Sequence, residues 1–485
     1  MAHVGQPQSS FLNTIYQGKF LSINEKTLLH QIQDAFGPEL DRLKRAPRAV
    51  DGGSQSPRNE DLTAYGLDPS TELFGKEFDE INRTLVGVLA LRWILNDDYD
   101  HFVRGQPGSL RLHPTSFAWL KRYFEKNLKS RADLLALVVA MIINDVGKDP
   151  ALATDYLKHT GNQLAGQNHD SVLYEAAKAG ILPCLDLLSQ EQRDDLLLGL
   201  ELGSELNAAQ VAQAESVPIS LEFLQSMRGR EHAFEMKFME QILDVAGALG
   251  HKYPYGSKNL IQPVFEAFQT VHEVSRRIIS GELDLRQGYD EVLKRRALLL
   301  ERTGFRHLSV NDDEERALLR LLTMGRTDNM QQAKLFEHAF KDLDCDSKEK
   351  LVMGLNIDGN VNEKAVLPYY MPAVFSDVLE ITKDTTEKAR RQALTSLMRY
   401  LARVLSSSSV SRNMSPTSLV LNGMPEDEAL PEVPGIVIEH NMLKAREVLG
   451  QPDFKTNPDK LDGLDVPPPQ ELIRRRTSQS ISSVP

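Results

Sequence analysis

Ten consecutive apolar residues, Leu134 to Ile143, constrain this chain more than any other feature. The run is about half of what a helix needs to cross a bilayer, which takes about 20 residues. It shows no polar face, so the spacing predicts a helix buried on all sides inside a folded protein. It also ends abruptly in charge: Asn144 and Asp145 follow directly, then Gly147 and Lys148. An aspartate at a helix C-terminus faces the negative end of the helix dipole and lies close to a core, and both are unfavourable. A compensating cation is expected there: a metal ion, Lys148 or a distant arginine. A polar cap and turn to solvent, with Gly147 ending the helix in the left-handed conformation, explains the same residues equally well.

Helical periodicity recurs elsewhere. Apolar residues repeat at three- and four-residue spacings over Phe20–Leu43, Leu73–Trp93, Phe117–Leu128, Phe234–Leu249, Val264–Ile279 and Ala393–Val404. Sustained period-two alternation is missing, so the expected fold class is all-α, a multi-helix globular assembly. Leu419–Leu421 and Ile436–Ile438 are the best candidates for strands. The expected organisation is an N-terminal helical region over 1–45, a linker over 46–60 and a main helical domain over 61–303. A C-terminal helical region over 304–450 and a disordered tail over 451–485 complete it, the tail resting on its prolines and charge.

A formal charge of -12 argues against nucleic acid or an anionic membrane surface as the main partner. The two cysteines, Cys184 and Cys345, lack metal-site spacing and read as buried free thiols of a reducing compartment. The first ten residues do not form a secretory signal, so the expected address is cytoplasmic, with nuclear access open. Composition leaves the oligomeric state open. Arg474–Arg475–Arg476 precede Thr477 and Ser478, a pattern suited to phosphorylation by a basophilic kinase, and equally a basic chain end.

Other carboxylates and imidazoles are candidates for chemistry. Asp170 reads as the N-cap of a helix beginning at Ser171, with His169 just outside it. Glu240, Asp244, Gly247 and His251 fall along one side of the Phe234–Leu249 helix beside a stripe of Met236, Met239, Leu243 and Ala246. Two carboxylates four residues apart repel unless a proton or cation lies between them, although a solvated flank is the commoner reading. Nucleotide-binding P-loop, Rossmann, nucleophile-elbow and zincin signatures are missing. Asp342–Asp346 starts like a calcium loop, but Ser347 and Met353 replace the glycine and glutamate it requires.

The string Asn144–Asp145–Val146–Gly147–Lys148 resembles the His-Asp signature of HD-type metal-dependent phosphohydrolases, with asparagine in the histidine position. The resemblance spans about 102–256. It implies an HD-like helical core and a divalent metal ion held by Asp145 and Asp244, with His113 and His169 as imidazole ligands. It also implies a phosphorylated small molecule as ligand, Lys148 neutralising phosphate charge, and Glu240 in a catalytic role. Lys252–Tyr253–Pro254–Tyr255 is similar to the turn that follows the later aspartate in some members. Asn144 is a departure, because a neutral amide binds a transition metal poorly beside imidazole. The rival is a non-catalytic helical interaction or scaffold protein with a lost metal site. A weaker likeness links Asp97–Asp98–Tyr99–Asp100 to the aspartate-rich motif of terpene synthases, without a matching second motif.

Overall fold

The structure is a computed structural model and describes residues 10–47, 66–164, 168–360, 365–368, 370–407, 435–437, 439–451 and 453–466. Helices dominate it, as the periodicity predicts. Among the described residues the strands are two three-residue segments, Ala365–Leu367 (β1) and Gly435–Val437 (β2), paired in parallel. The strand expected at Ile436–Ile438 is thus present, shifted by one residue, while Leu419–Leu421 lies outside the described residues. No described helix is long and apolar enough to cross a membrane.

Contacts divide the chain into two compact units. The first comprises residues 1–206 and 227–269. Its helices are Ser10–Tyr16 (α1), Glu25–Ala35 (α2), Gly37–Leu43 (α3), Pro69–Phe74 (α4), Asp79–Leu95 (α5), Tyr99–Phe102 (α6) and Pro114–Asn127 (α7). Arg131–Ile143 (α8), Pro150–Thr160 (α9), His169–Lys178 (α10) and Gln190–Glu205 (α11) come next; Ala208–Ala212 (α12) belongs to the second unit, and Glu231–Gly247 (α13) returns to the first. Two of the expected helices are broken where the sequence carries breakers. Pro38 follows Gly37 at the start of α3, and Gly75 in the left-handed conformation ends α4.

Helix α8 is the core of the first unit, as its apolar run requires. Residues Leu134–Val139 and Met141–Ile143 are all buried, and a Ser130–Asp133 capping box fixes where the helix starts. Helices α5 and α13 cross beside it at unusually close range. A β-carbon on Gly247 would overlap the carbonyl oxygen of Arg83 and lie 2.8 Å from the Gly87 nitrogen. Only a pair of glycines lets the two backbones approach this way.

The second unit comprises 207–226 and 270–485, and Gln262–Ser280 (α14) runs from one unit into the other. Its further helices are Leu285–Arg302 (α15), Asp313–Met324 (α16), Met330–Lys341 (α17), Cys345–Asn356 (α18), Met371–Ile381 (α19), Glu387–Ser407 (α20) and Glu439–Leu449 (α21). Residues 270–303 therefore group with the C-terminal helices, because α15 packs on α16. Two arginines with essentially no exposure, Arg316 and Arg320, hold this unit together. Arg320 donates to the carbonyl oxygens of Leu355 (2.6 Å), Ala214 (3.0 Å) and Ser216 (2.8 Å), and Arg316 donates to Asp290 at 2.8 Å. The Arg320 bonds satisfy buried backbone acceptors, two of which Tyr289 Oη also reaches.

Two sequence expectations need correction. Residues 453–466 are ordered: Phe454 and Leu461 are buried, and Arg403 on α20 donates to the carbonyls of Asp462 (2.9 Å) and Leu464 (3.0 Å). Two apolar anchors in a polar stretch suffice to dock it. Cys184 is buried, but Cys345 is exposed, since it begins α18 directly after the N-cap Asp344.

Candidate functional site

Asp145, at the charged end of α8, is buried. Asn144 is the helix C-cap in ordinary right-handed conformation, and Asp145 leads into a 3-10 turn over Val146–Lys148. Gly147 is not left-handed, contrary to its expected role. It is glycine because a β-carbon there would overlap the carbonyl oxygen of His169, so the turn packs directly on the start of α10. The contact folds Lys148 back, and its Nζ lies 2.7 Å from Asp145 Oδ1 and 3.1 Å from Glu80 Oε2. Glu80 in turn accepts two bonds from Arg83 Nη1, at 2.8 and 3.0 Å.

The close crossing of α5 and α13 adds a third carboxylate, because it brings Arg83 and Asp244 into one neighbourhood. The titration of the cluster reflects its crowding. Burial resists ionisation of Asp145, but Lys148 and Arg83 outweigh it and hold the carboxyl well below the usual range. Glu80 goes the other way: burial, and then the charge of Asp145, push it up to about 7. Asp244 is raised for the same two reasons, burial first and Asp145 second. One turn earlier on α13, Glu240 is 2% exposed and pairs with Lys237 Nζ at 2.5 Å. Burial pushes it up to about 7 in spite of that lysine. Four acids thus share three cations, and the crowding makes Glu80, Asp244 and Glu240 harder to ionise.

Of the residues expected at the site, Asp145, Lys148 and Asp244 come together, with Glu240 at the edge. His169 contributes its backbone to the packing around Gly147, and its ring faces Asp170 at 3.6 Å. The N-cap of α10 is Asn168, which accepts from Ser171 N at 2.8 Å, and Asp170 lies inside the first turn instead. His113 is elsewhere in use: exposed at the N-cap of α7, it donates its backbone N–H to Gln262 Oε1 at 2.9 Å. Among the described residues no three histidine, cysteine, aspartate or glutamate side chains gather as ligands for one metal ion. The donor set also fits such an ion poorly at Asp145 and Glu80, whose oxygens Lys148 and Arg83 already hold.

Sequence reasoning missed Glu80, Arg83 and Lys237. The usable signal was an isolated Glu-x-x-Arg pair at the start of α5, whose remaining face is apolar. It also missed the adjoining anchor, in which the fully buried carboxylate of Asp149 accepts from Arg42 (3.0 Å) and Arg45 (2.7 Å) of the α3 segment. The aspartate-rich run is spent locally. Asp98 caps the turn to His101, and Asp97 pairs with Lys121 at 3.2 Å. Thr477 and Ser478 lie outside the described residues.

The chain belongs to a family of unknown function, DUF6829, whose model matches residues 29–461. No curated protein and no solved structure matches it.

Proposed function

We propose that this chain is a non-catalytic helical interaction protein, in which an ammonium group stands at the acidic cluster where an HD-like enzyme would hold its metal. One observation carries the reading. Lys148 Nζ bridges Asp145 and Glu80 at 2.7 and 3.1 Å, which neutralises the aspartate that the helix delivers. An internal cation meets the electrostatic need of Asp145 at the C-terminus of α8, so the need calls for no ligand from outside. Asn144 fits the same reading, because a cap amide costs nothing where an imidazole ligand has no ion to hold. The test is the metal content of the purified full chain, with thermal shift on adding manganese, zinc or iron. The reading expects no stoichiometric metal and no shift.

A divergent HD-like phosphohydrolase, binding a divalent metal and a phosphorylated small molecule, is the second reading. Its support is the surplus of negative charge: Asp244 is raised by Asp145, so a cation stronger than lysine would be welcome there. Under this reading bound metal is found, and Asp145→Ala and Asp244→Ala each abolish it.

A further inference from the structure

Between α8, α11 and α13 of the first unit lies a cavity with an empty volume of about 490 Å³, counting the solvent in its mouth. Ala140, Leu196, Leu200 and Met236 form apolar walls. Glu240 and Lys237 also line it, and Asp133, Asp195 and His232 stand around it. Helix α11 makes room for this arrangement by giving up side chains. A β-carbon on Gly199 would lie 3.3 Å from Lys237 Cβ, and one on Gly203 would lie 2.8 Å from Lys237 Nζ. Two mid-helix glycines cost about 1 kcal/mol each against alanine. They let the lysine stem lie flat along α11 with its ammonium group on Glu240.

Glu240 is the unusual wall. Its side chain is buried and Lys237 Nζ reaches Oε2, yet Oε1 has no hydrogen-bond donor among the described residues. A buried acceptor without a donor is costly, and native structures normally provide one. Glu240 is among the residues that line the cavity, so a donor bound there would approach this carboxyl group. We propose that this cavity is a binding site for a small primary amine with an apolar body, whose ammonium group donates to Glu240 Oε1 while the body fills the space between Ala140, Leu196 and Met236. Charge complementarity favours an amine over an acid. Of the carboxylates around the cavity, Asp195 pairs with Arg230 at 3.1 Å and Asp133 caps Ser130 beside His232 at 3.6 Å, which leaves Glu240 as the one facing only Lys237 among the described pairs.

The experiment uses the full chain labelled at its methionine methyl groups, with benzylamine, benzyl alcohol and benzoate as probes. Benzylamine is expected to shift the Met236 methyl resonance saturably, and to bind at least tenfold more tightly than benzoate. Glu240→Gln is expected to weaken benzylamine at least tenfold, and Ala140→Leu to do the same by filling the cavity. The comparison of probes on the unaltered protein needs no variant to fold. No saturable shift, benzoate binding as tightly as benzylamine, or undiminished binding in a folded variant of either kind overturns the proposal.

Discussion

Lys148 is where the balance of the acidic cluster can be tested on a single side chain. Its ammonium group touches two carboxylates and its side chain is 21% exposed, so its removal leaves Asp145 and Glu80 with Arg83 as the remaining cation beside them. Lys148→Met is expected to destabilise the protein by about 3 kcal/mol, the low end for taking one partner from a buried pair. Chemical denaturation reads this directly, and a loss under about 0.5 kcal/mol would mean that the bridge is idle. Glu215 in the second unit gives a pH test free of that cluster. Burial pushes its carboxyl up to about 7, against the backbone N–H of Tyr370 at 3.2 Å and the charge of Arg326. A carboxyl raised in the folded state binds its proton more tightly there than in the unfolded chain. Its contribution to stability is therefore full at low pH and lost as pH rises from the ordinary glutamate value toward about 7. Glu215→Gln cannot ionise, so its stability relative to the parent chain is expected to rise between about pH 5 and pH 8, and a flat difference would refute the shift.

At the scale of elements, the decisive contacts are places where a backbone comes closer than a side chain allows. The turn after α8 rests on the carbonyl of His169, and α5 crosses α13 at Gly87 and Gly247. Gly147→Ala is expected to cost about 1–3 kcal/mol, the usual penalty of overpacking, and to loosen α10 from the turn. Hydrogen exchange over 168–178 would report that loosening, and unchanged protection would contradict it. These contacts also show why the sequence was legible only in part. The continuous apolar stretch of α8 announced its burial, whereas the N-cap read at Asp170 falls on Asn168. Gly147 pointed to a left-handed helix end and proved to be a close approach, because one sequence cannot separate the two uses of glycine. Glu80 and Arg83 were silent for a related reason. Their partners Asp145 and Lys148 lie far along the chain, Lys148 being 68 residues from Glu80. Periodicity carries no information about which helices cross.

Across the whole molecule, two helical units are built on different principles. The first surrounds an apolar helix and accepts a crowded set of charges at its end. The second threads arginine side chains through its interior to satisfy backbone carbonyls, and Arg316 and Arg320 are among its largest fully buried groups. Helical class could be read from the apolar spacing, whereas the grouping of 207–226 with 270–485 could not, because it depends on tertiary contacts such as Tyr289 Oη donating to the Ser216 carbonyl at 2.7 Å. The central claim is that Lys148, rather than a bound ion, balances the acidic cluster. Elemental analysis of the purified full chain, joined to thermal shifts with manganese, zinc and iron, tests it most directly. Less than about a tenth of an equivalent of metal and no shift are expected, since without bound ligand mass action supplies no stabilisation. One equivalent of metal, lost in both Asp145→Ala and Asp244→Ala, would contradict it.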